Sequence, residues 1–183
     1  APLFEGHDHG QRPESSFDSL ELRNGSHDMA MRGFYMSNLF TDQVLTEMGH
    51  LAPHGRMVHL YLNGTYWGMY HLRERWNAAM HADYLGGTKD DYEAINGNLN
   101  VGGWADPATP FDGDGRAWEH LKTLRHDYAA LRSRVDVTNL TDFMIAFMFG
   151  NSEDEWRSVS PNFNVGPGSG ARFIMNDADG WLS

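Results

Sequence analysis

The amino-acid sequence predicts an α+β fold, in which an antiparallel sheet built around one hairpin precedes a mostly helical part. Two observations support this prediction. The apolar and aromatic runs Met57–Leu62 and Thr65–Leu72 are separated by an Asn-Gly dipeptide, which favours a type I′ hairpin turn because both of its central residues need positive φ. Further along, apolar residues recur at helical spacing in residues 116–131 and 140–149.

Composition bounds the class of protein. The chain has 183 residues, of which 40% are hydrophobic and 13% aromatic, so we expect a globular fold rather than disorder. Its net charge of −11 argues against nucleic-acid binding through a basic face. Without cysteine it has no disulfide or thiolate metal site, and no apolar run is long enough to span a membrane. The chain starts without Met, shows no signal peptide and stops just after an acidic motif, which indicates a segment of a longer protein.

The N-terminal region is predicted to contain one strand and a helical stretch. Residues 1–16 lack periodicity and predict an extended arm. Within this arm, His7-Asp8-His9 has the residue types of a metal site, although a solvated loop is the commoner use of such a segment. Phe17–Asn24 alternates apolar and polar residues as a strand does, and residues 28–48 carry an apolar helical face that Gly49 ends.

The hairpin Met57–Trp76 has no cleanly polar face, so we expect a central strand pair covered on both sides. After it, Asn77–Leu85 is predicted to be a helix that ends at Gly86, and Asp90–Ile95 a short strand. Residues 96–115 are rich in Gly, Asn, Asp and Pro and predict a long loop, of a kind that is often functional.

The rest of the chain is predicted to form two helices and a short strand. Arg116–Leu131 has the pattern of one amphipathic helix, and Asp136 is placed to cap a second, Leu140–Phe149. Ala171–Met175 reads as a short strand. The predicted organisation is an arm at 1–16 and one domain at 17–183, made of a sheet lobe (17–95), a loop (96–115) and a helical lobe (116–183).

Two acidic clusters follow apolar elements, at Gly150–Glu155 and Asn176–Gly180, with Pro161–Asn164 between them. Carboxylate and amide oxygens from separate segments are the ligands that Mg²⁺ or Ca²⁺ requires. An Asp, an Asn and a second Asp in this chain order are also the layout of a phosphotransfer site. The alternative is that these residues are solvated and form turns at element ends.

The hairpin ends in Arg73-Glu74-Arg75, three charges at the end of a buried strand. Such charges are costly unless they are paired or bound to a ligand. A cation held by a Glu can contact nucleotide phosphates, and a structural ion pair is the equally good alternative. Arg23 and Arg32 are further candidates for anion contact, because the planar arginine fork suits phosphate.

Two other metal hypotheses have less support. Neither acidic segment with glycine, Asp112–Gly115 or Asp177–Gly180, has the sixth-position Gly and twelfth-position Glu of an EF-hand. His59 and His71 could form a metal pair on neighbouring strands.

Several motifs in fixed order resemble the spore-coat-protein-H (CotH) kinase family, especially copies embedded in large secreted bacterial proteins. The most specific is the hairpin with its NGTYWGMYHLRE run, and the resemblance spans most of residues 17–180. The other matching pieces are Leu22-Arg23-Asn24 with Asp28 and Arg32, Ala52–Gly55, Asp136–Met144, Gly150-Asn151 with Asp154 and Asn162, and Asp177-Ala178-Asp179.

The resemblance implies an atypical protein-kinase-like fold and roles for individual residues. By this resemblance Glu74 is the hairpin-end glutamate, and Asp154 is the catalytic Asp, with Glu153 as the competing candidate. Asn162, or else Asn164, and Asp177 would bind the metal, and Asp179 is a candidate to share it. Arg23, Arg32 and Arg73 are the candidate phosphate contacts.

The function implied by the resemblance is phosphate transfer from ATP, with Mg²⁺, to Ser or Thr of a protein partner. It also implies an extracellular or cell-envelope location and neighbouring domains in the parent protein. Two alternatives stay open. The domain could be an inactive structural or adhesive module, or a binding module in which the acidic segments hold Ca²⁺ for folding.

Overall fold

A computed structural model of the chain describes residues 3–6, 11–25, 35–98, 109–151, 158–164, 170–175, 178 and 180–182. The strands are β1 Leu20–Arg23, β2 Gly55–Leu62, β3 Thr65–Glu74, β4 Tyr92–Asn98, β5 Thr109–Asp112, β6 Ser158–Asn164 and β7 Arg172–Met175. The α-helices are α1 Ser37–Glu47, α2 Ala78–Leu85, α3 Arg116–Thr123, α4 Tyr128–Arg132 and α5 Val137–Phe149. A 3₁₀ turn, Lys89–Asp91, precedes β4. The predicted α+β class is confirmed.

The hairpin forms as predicted, with φ of 48° at Asn63 and 80° at Gly64. However, β3 alone is central, because the sheet order is β1-β3-β2 and β2 lies at an edge. The expectation of a pair covered on both sides is also wrong at the tip, where Tyr61, Tyr66 and Trp67 are 62%, 51% and 60% exposed. The register shifts between Leu60 and Tyr61, a bulge that increases twist where burial ends.

A second antiparallel sheet, in the order β5-β4-β6-β7, was not foreseen. The loop predicted for residues 96–115 is wrong at both ends, because β4 runs to Asn98 and β5 occupies Thr109–Asp112. Strand β6 was missed because Pro161 cannot donate to the ladder. The pairing of β6 with β4 accordingly skips Pro161: after Ala94↔Asn162, the next pair is Gly97↔Val159. This sheet joins a strand of the predicted sheet lobe, β4, to strands that follow residue 116.

The helices agree with the predicted pattern except at one place. The single helix predicted over Arg116–Leu131 is wrong: α3 ends at Thr123, and α4 starts after Asp127, whose carboxylate accepts a hydrogen bond from Ala130 N at 3.0 Å. The cap predicted at Asp136 is confirmed by its 3.0 Å bond from Asn139 N. Residues 28–34 of the first helical region, and the His7-Asp8-His9 motif, lie outside the described residues.

The largest apolar core lies between α1, α5, β7 and the C-terminal residues. Leu45, Phe143, Phe147, Met175 and Trp181 form its centre. The Trp181 indole is 1% exposed and donates to Ala146 O at 2.9 Å. Among the described residues, no helix is long and apolar enough to cross a membrane.

Candidate functional site

Arg73 is fully enclosed at the end of β3 and joins three elements. Its side chain is 1% exposed, and its Nε donates to Glu21 Oε2 of β1 at 2.7 Å. One terminal nitrogen donates to Asp42 Oδ2 of α1 at 3.4 Å. Because both carboxylates come from other elements, this arginine fastens α1 and β1 to the central strand.

The charges around Arg73 are not equally well compensated. Burial raises the pKa of Asp42 to about 7, although the Arg73 charge acts in the opposite direction. Partial burial acts to raise the pKa of Glu21, but Arg73, together with Arg23 and Arg75, outweighs it, so the pKa is lowered. Asp42 Oδ1 has no hydrogen-bond partner among the described residues. Asp42 is therefore the strained member of the cluster, since a buried carboxylate that lacks full hydrogen bonding is costly.

Glu74 has a different set of partners, because adjacent residues of a strand point to opposite faces. Its Oε2 accepts a hydrogen bond from His54 N at 2.8 Å and lies 3.0 Å from His54 Nδ1. Its Oε1 accepts from the Tyr84 hydroxyl at 2.5 Å. Burial and the neighbouring Glu74 raise the pKa of Tyr84, which keeps the hydroxyl protonated as a donor. Glu74 thus ties β3 to the loop before β2 and to α2.

His54 completes this network on its far side. Its Nε2 lies 2.7 Å from the carbonyl oxygen of Gln11, while Nδ1 faces the Glu74 carboxylate. The Tyr84 hydroxyl also lies 3.1 Å from His54 Nδ1. The network therefore reaches from Glu74 to the N-terminal arm.

His59 and His71 lie on neighbouring strands, as predicted. The hairpin register sets His59 opposite Met69 and His71 opposite Met57, so the two histidines are diagonal neighbours and not directly opposed. Their role as a metal pair stays a prediction. His71 is buried, which lowers its pKa to about 3. The described residues contain no group of three metal-ligating side chains.

Of the predicted anion contacts, Arg23 lies half-buried on β1, opposite His71 of β3. Arg32 lies outside the described residues. The Arg73 guanidinium already contacts two carboxylates, so contact with a phosphate would have to replace one of them.

Asp154, Asp177 and Asp179 lie outside the described residues. Asn162 lies on β6, where it pairs with Arg172, while Val159 pairs with Met175 at the end of β7. Three residue steps separate these pairs, so Asn162 lies about 10 Å along the ladder from Met175. Only the backbone of β6 is described at Asn162, so the metal roles of Asn162, Asp177 and Asp179 and the catalytic role of Asp154 stay predictions.

The residues that flank the two acidic clusters are joined to each other. Leu182 N donates to Gly150 O at 2.7 Å, which links the end of α5 to the C-terminal residues. Ala178, between Asp177 and Asp179 in the sequence, donates its N–H to Asn38 Oδ1 of α1 at 3.0 Å. Gly150, where the first acidic cluster begins, therefore lies beside Leu182, which closely follows the second cluster. Ala178, inside the second cluster, is hydrogen-bonded to α1.

Sequence reasoning flagged Arg73 and Glu74 but missed the partners that hold them. A signal for Asp42 was present: Asn38, Thr41, Asp42 and Leu45 are spaced as one helical face, and all four are buried. Polar residues on the buried face of a helix indicate partners on a neighbouring element. His54 lies in the matching piece Ala52–Gly55, which gives no sign of its partner, and nothing comparable marks Tyr84 in the sequence.

The described part of the chain is a mixed α+β protein, with an antiparallel three-stranded sheet fastened to a helix by a buried ion pair, consistent with a kinase-like fold. The model of the family described as CotH kinase protein matches residues 4–179. The chain therefore belongs to the CotH kinase family, as its motifs predicted. No curated protein matches the chain.

Proposed function

We propose that this domain is a protein kinase of the CotH type, which transfers the γ-phosphate of ATP to a Ser or Thr hydroxyl of a protein partner. Membership of the CotH kinase family carries the proposal. The 2.7 Å bond between Leu182 N and Gly150 O supports it, because it joins the segments that carry the predicted catalytic and metal-binding acids.

The proposed chemistry divides among the acidic residues. Asp154 accepts the proton of the attacking Ser or Thr hydroxyl. The hydroxyl oxygen forms a bond to the γ-phosphorus while the bond from that phosphorus to ADP breaks. Asn162, Asp177 and Asp179 would hold Mg²⁺, and their amide and carboxylate oxygens are the donor types that this ion takes. Bound magnesium would neutralise charge on the phosphates.

Arg73 and Glu74 support the site in this proposal through different contacts. Arg73 ties α1 to the sheet through Asp42, and Glu74 ties β3 to α2 through Tyr84. Contact with the phosphates is proposed for Arg23 and Arg32, which keeps Arg73 with its two carboxylates. The protein partner, the neighbouring domains and an extracellular or envelope location belong to the same proposal.

A second candidate function is an inactive structural module with the same fold. The enclosed Arg73 favours it, because the cation that ends the central strand is already in contact with Glu21 and Asp42. A module without turnover would have no need of a cation free for phosphate.

A thermal-shift series with ATP and Mg²⁺, Mg²⁺ alone and Ca²⁺ alone tests these candidates. We expect a shift with ATP and Mg²⁺ that Asp177→Asn removes and Asp154→Asn keeps, since only the first is proposed to hold the metal. The matched control is Asp18→Asn, which alters an exposed carboxylate. A nucleotide shift absent in every condition would refute the kinase proposal, and a shift with Ca²⁺ alone would favour a calcium-stabilised module.

A further inference from the structure

A cleft of about 710 Å³ opens between α2, β4, the end of β5 and α3. This volume lies within the range of about 300–1,000 Å³ that is usual for small-molecule sites. Ala78, Tyr92, Ala117 and Leu121 supply apolar wall, and charged side chains supply the rest. Among the described side chains, none of those proposed above for nucleotide contact (Arg23, Arg73 and Glu74) lines this cleft.

Three basic side chains in the cleft have no anionic partner in the described part of the chain. Lys89, at the turn before β4, His120 of α3 and Arg134 all line the cleft. The ion pairs of the neighbouring basic residues go elsewhere: Arg116 binds Asp114 at 2.5 Å, and Lys122 binds Glu119 at 2.5 Å. An ammonium and a guanidinium in one concave site suit a phosphate, since lysine supplies a point charge and arginine a planar fork.

Most of the carboxylates that line the cleft are already occupied. Glu93 is 3% exposed and accepts hydrogen bonds from Ala117 N, at 3.1 Å for Oε2. Asp112 accepts from Ala78 N at 3.1 Å, at the start of α2. Asp114 is bound by the backbone and side chain of Arg116. Helix N–H groups and Arg116 compensate these three acids, and no described ion pair ties them to Lys89 or Arg134.

Glu93 and Asp114 also share a hydrogen bond. Burial and the neighbouring Asp114 raise the pKa of Glu93, whereas the bond from Arg116 N leads the effects that lower the pKa of Asp114. Gly113 is required beside this pair, because an added Cβ would lie 2.6 Å from Glu93 Cγ.

Asp90 is the exception among the acids. It is exposed, lines the cleft and makes no hydrogen bond within the described residues. A free carboxylate beside free cations favours a ligand that carries both an anion and a hydroxyl donor, because each group then finds a partner.

We propose that this cleft binds a small phosphorylated sugar, whose phosphate contacts Lys89 and Arg134 and whose hydroxyl donates to Asp90. His120 supplies a further donor to the phosphate. In this proposal the cleft is a second site that does not bind nucleotide, and it does not depend on kinase activity.

Isothermal titration with glucose 6-phosphate tests this proposal directly on the 183-residue chain. We expect Lys89→Gln and Arg134→Gln each to raise the Kd about tenfold, the usual effect of losing a hydrogen bond to a charged group. The matched control is Arg132→Gln, which removes an exposed positive charge outside the cleft. Far-UV circular dichroism and the Tm of each variant show that the fold is kept.

Two further arms test the hydroxyl contact and the separateness of the site. Asp90→Ala should weaken glucose 6-phosphate several-fold and leave inorganic phosphate unchanged, and saturating ADP with Mg²⁺ should not alter either Kd. The proposal is overturned by any of three results: no binding of glucose 6-phosphate at millimolar concentration, equal affinity in the three charge variants, or competition by ADP.

Discussion

Asp42→Asn should stabilise the domain at alkaline pH and have little effect in acid. Asp42 is 2% exposed, one of its carboxylate oxygens has no partner among the described residues, and its contact with Arg73 is 3.4 Å long. Burial raises its pKa from 3.8 to about 7. A buried carboxylate with one long ion-pair contact is poorly compensated, so desolvation outweighs the attraction of Arg73.

The sign of the pH dependence follows from proton binding. Between pH 3.8 and about 7, the folded protein holds a proton on Asp42 that the unfolded chain has released. The stability contributed by this group is therefore complete below pH 3.8 and is lost as the pH rises through about 7. At about 1.4 kcal/mol for each pKa unit, the loss amounts to about 4 kcal/mol. Asn resembles the protonated acid and cannot ionise, so the variant escapes this loss.

The assay is urea unfolding followed by tryptophan fluorescence in acid and in mildly alkaline buffer. The quantity compared is the free energy of unfolding of Asp42→Asn minus that of the wild type. We expect this difference to be near zero in acid and about 4 kcal/mol in favour of the variant above the folded pKa. Asp18→Asn, an exposed control, should show no such trend. If Asp42→Asn instead lost stability as the pH rose, the ion pair with Arg73 would dominate and the reasoning would be refuted.

Two other substitutions test the packing around the site. Gly150→Ala should destabilise the domain by about 3 kcal/mol in urea unfolding, because the added Cβ would lie 1.8 Å from Trp181 Nε1; a neutral effect would show that the end of α5 is not packed as described. Tyr84→Phe should cost about 2 kcal/mol, since it removes the 2.5 Å donor to the buried Glu74 carboxylate, whereas Tyr128→Phe, 68% exposed, should be neutral. Equal effects of the two tyrosine variants would contradict the buried network.

The parts of the fold that local chemistry determines were predictable from the sequence. The hairpin follows from the Asn-Gly turn, where Asn63 and Gly64 both take positive φ. The cap of α5 follows from Asp136, and the end of α2 from Gly86, whose φ is 85°.

The second sheet was not predictable in the same way, because its pairings join segments far apart in the chain. β4 pairs with β6, some 65 residues later, and both β5 and β6 contain a proline that argues against a strand. Tertiary pairing overrides local propensity in such strands. The break between α3 and α4 was missed because apolar residues recur at helical spacing on both sides of Asp127. The Asp127 carboxylate nevertheless caps a new helix.

The candidate site was half predictable for the same reason. Arg73 and Glu74 stood out as charges at the end of a buried strand, and both are buried. Their partners Glu21, Asp42 and Tyr84 come from β1, α1 and α2, and no local rule links those positions to the hairpin. Charge patterns therefore located the cluster but not the contacts that hold it.

Transfer of labelled γ-phosphate from ATP to protein serine or threonine tests the proposed kinase activity most directly. The reaction is run with Mg²⁺ and with EDTA, and the wild type is compared with Asp154→Asn, Asp177→Asn and the exposed control Asp18→Asn. We predict magnesium-dependent transfer that the control retains and that both site variants lose. Of the two site variants, only Asp154→Asn should keep nucleotide binding. Transfer that persists in Asp154→Asn and Asp177→Asn, or no transfer by the wild type in magnesium, would contradict the proposal.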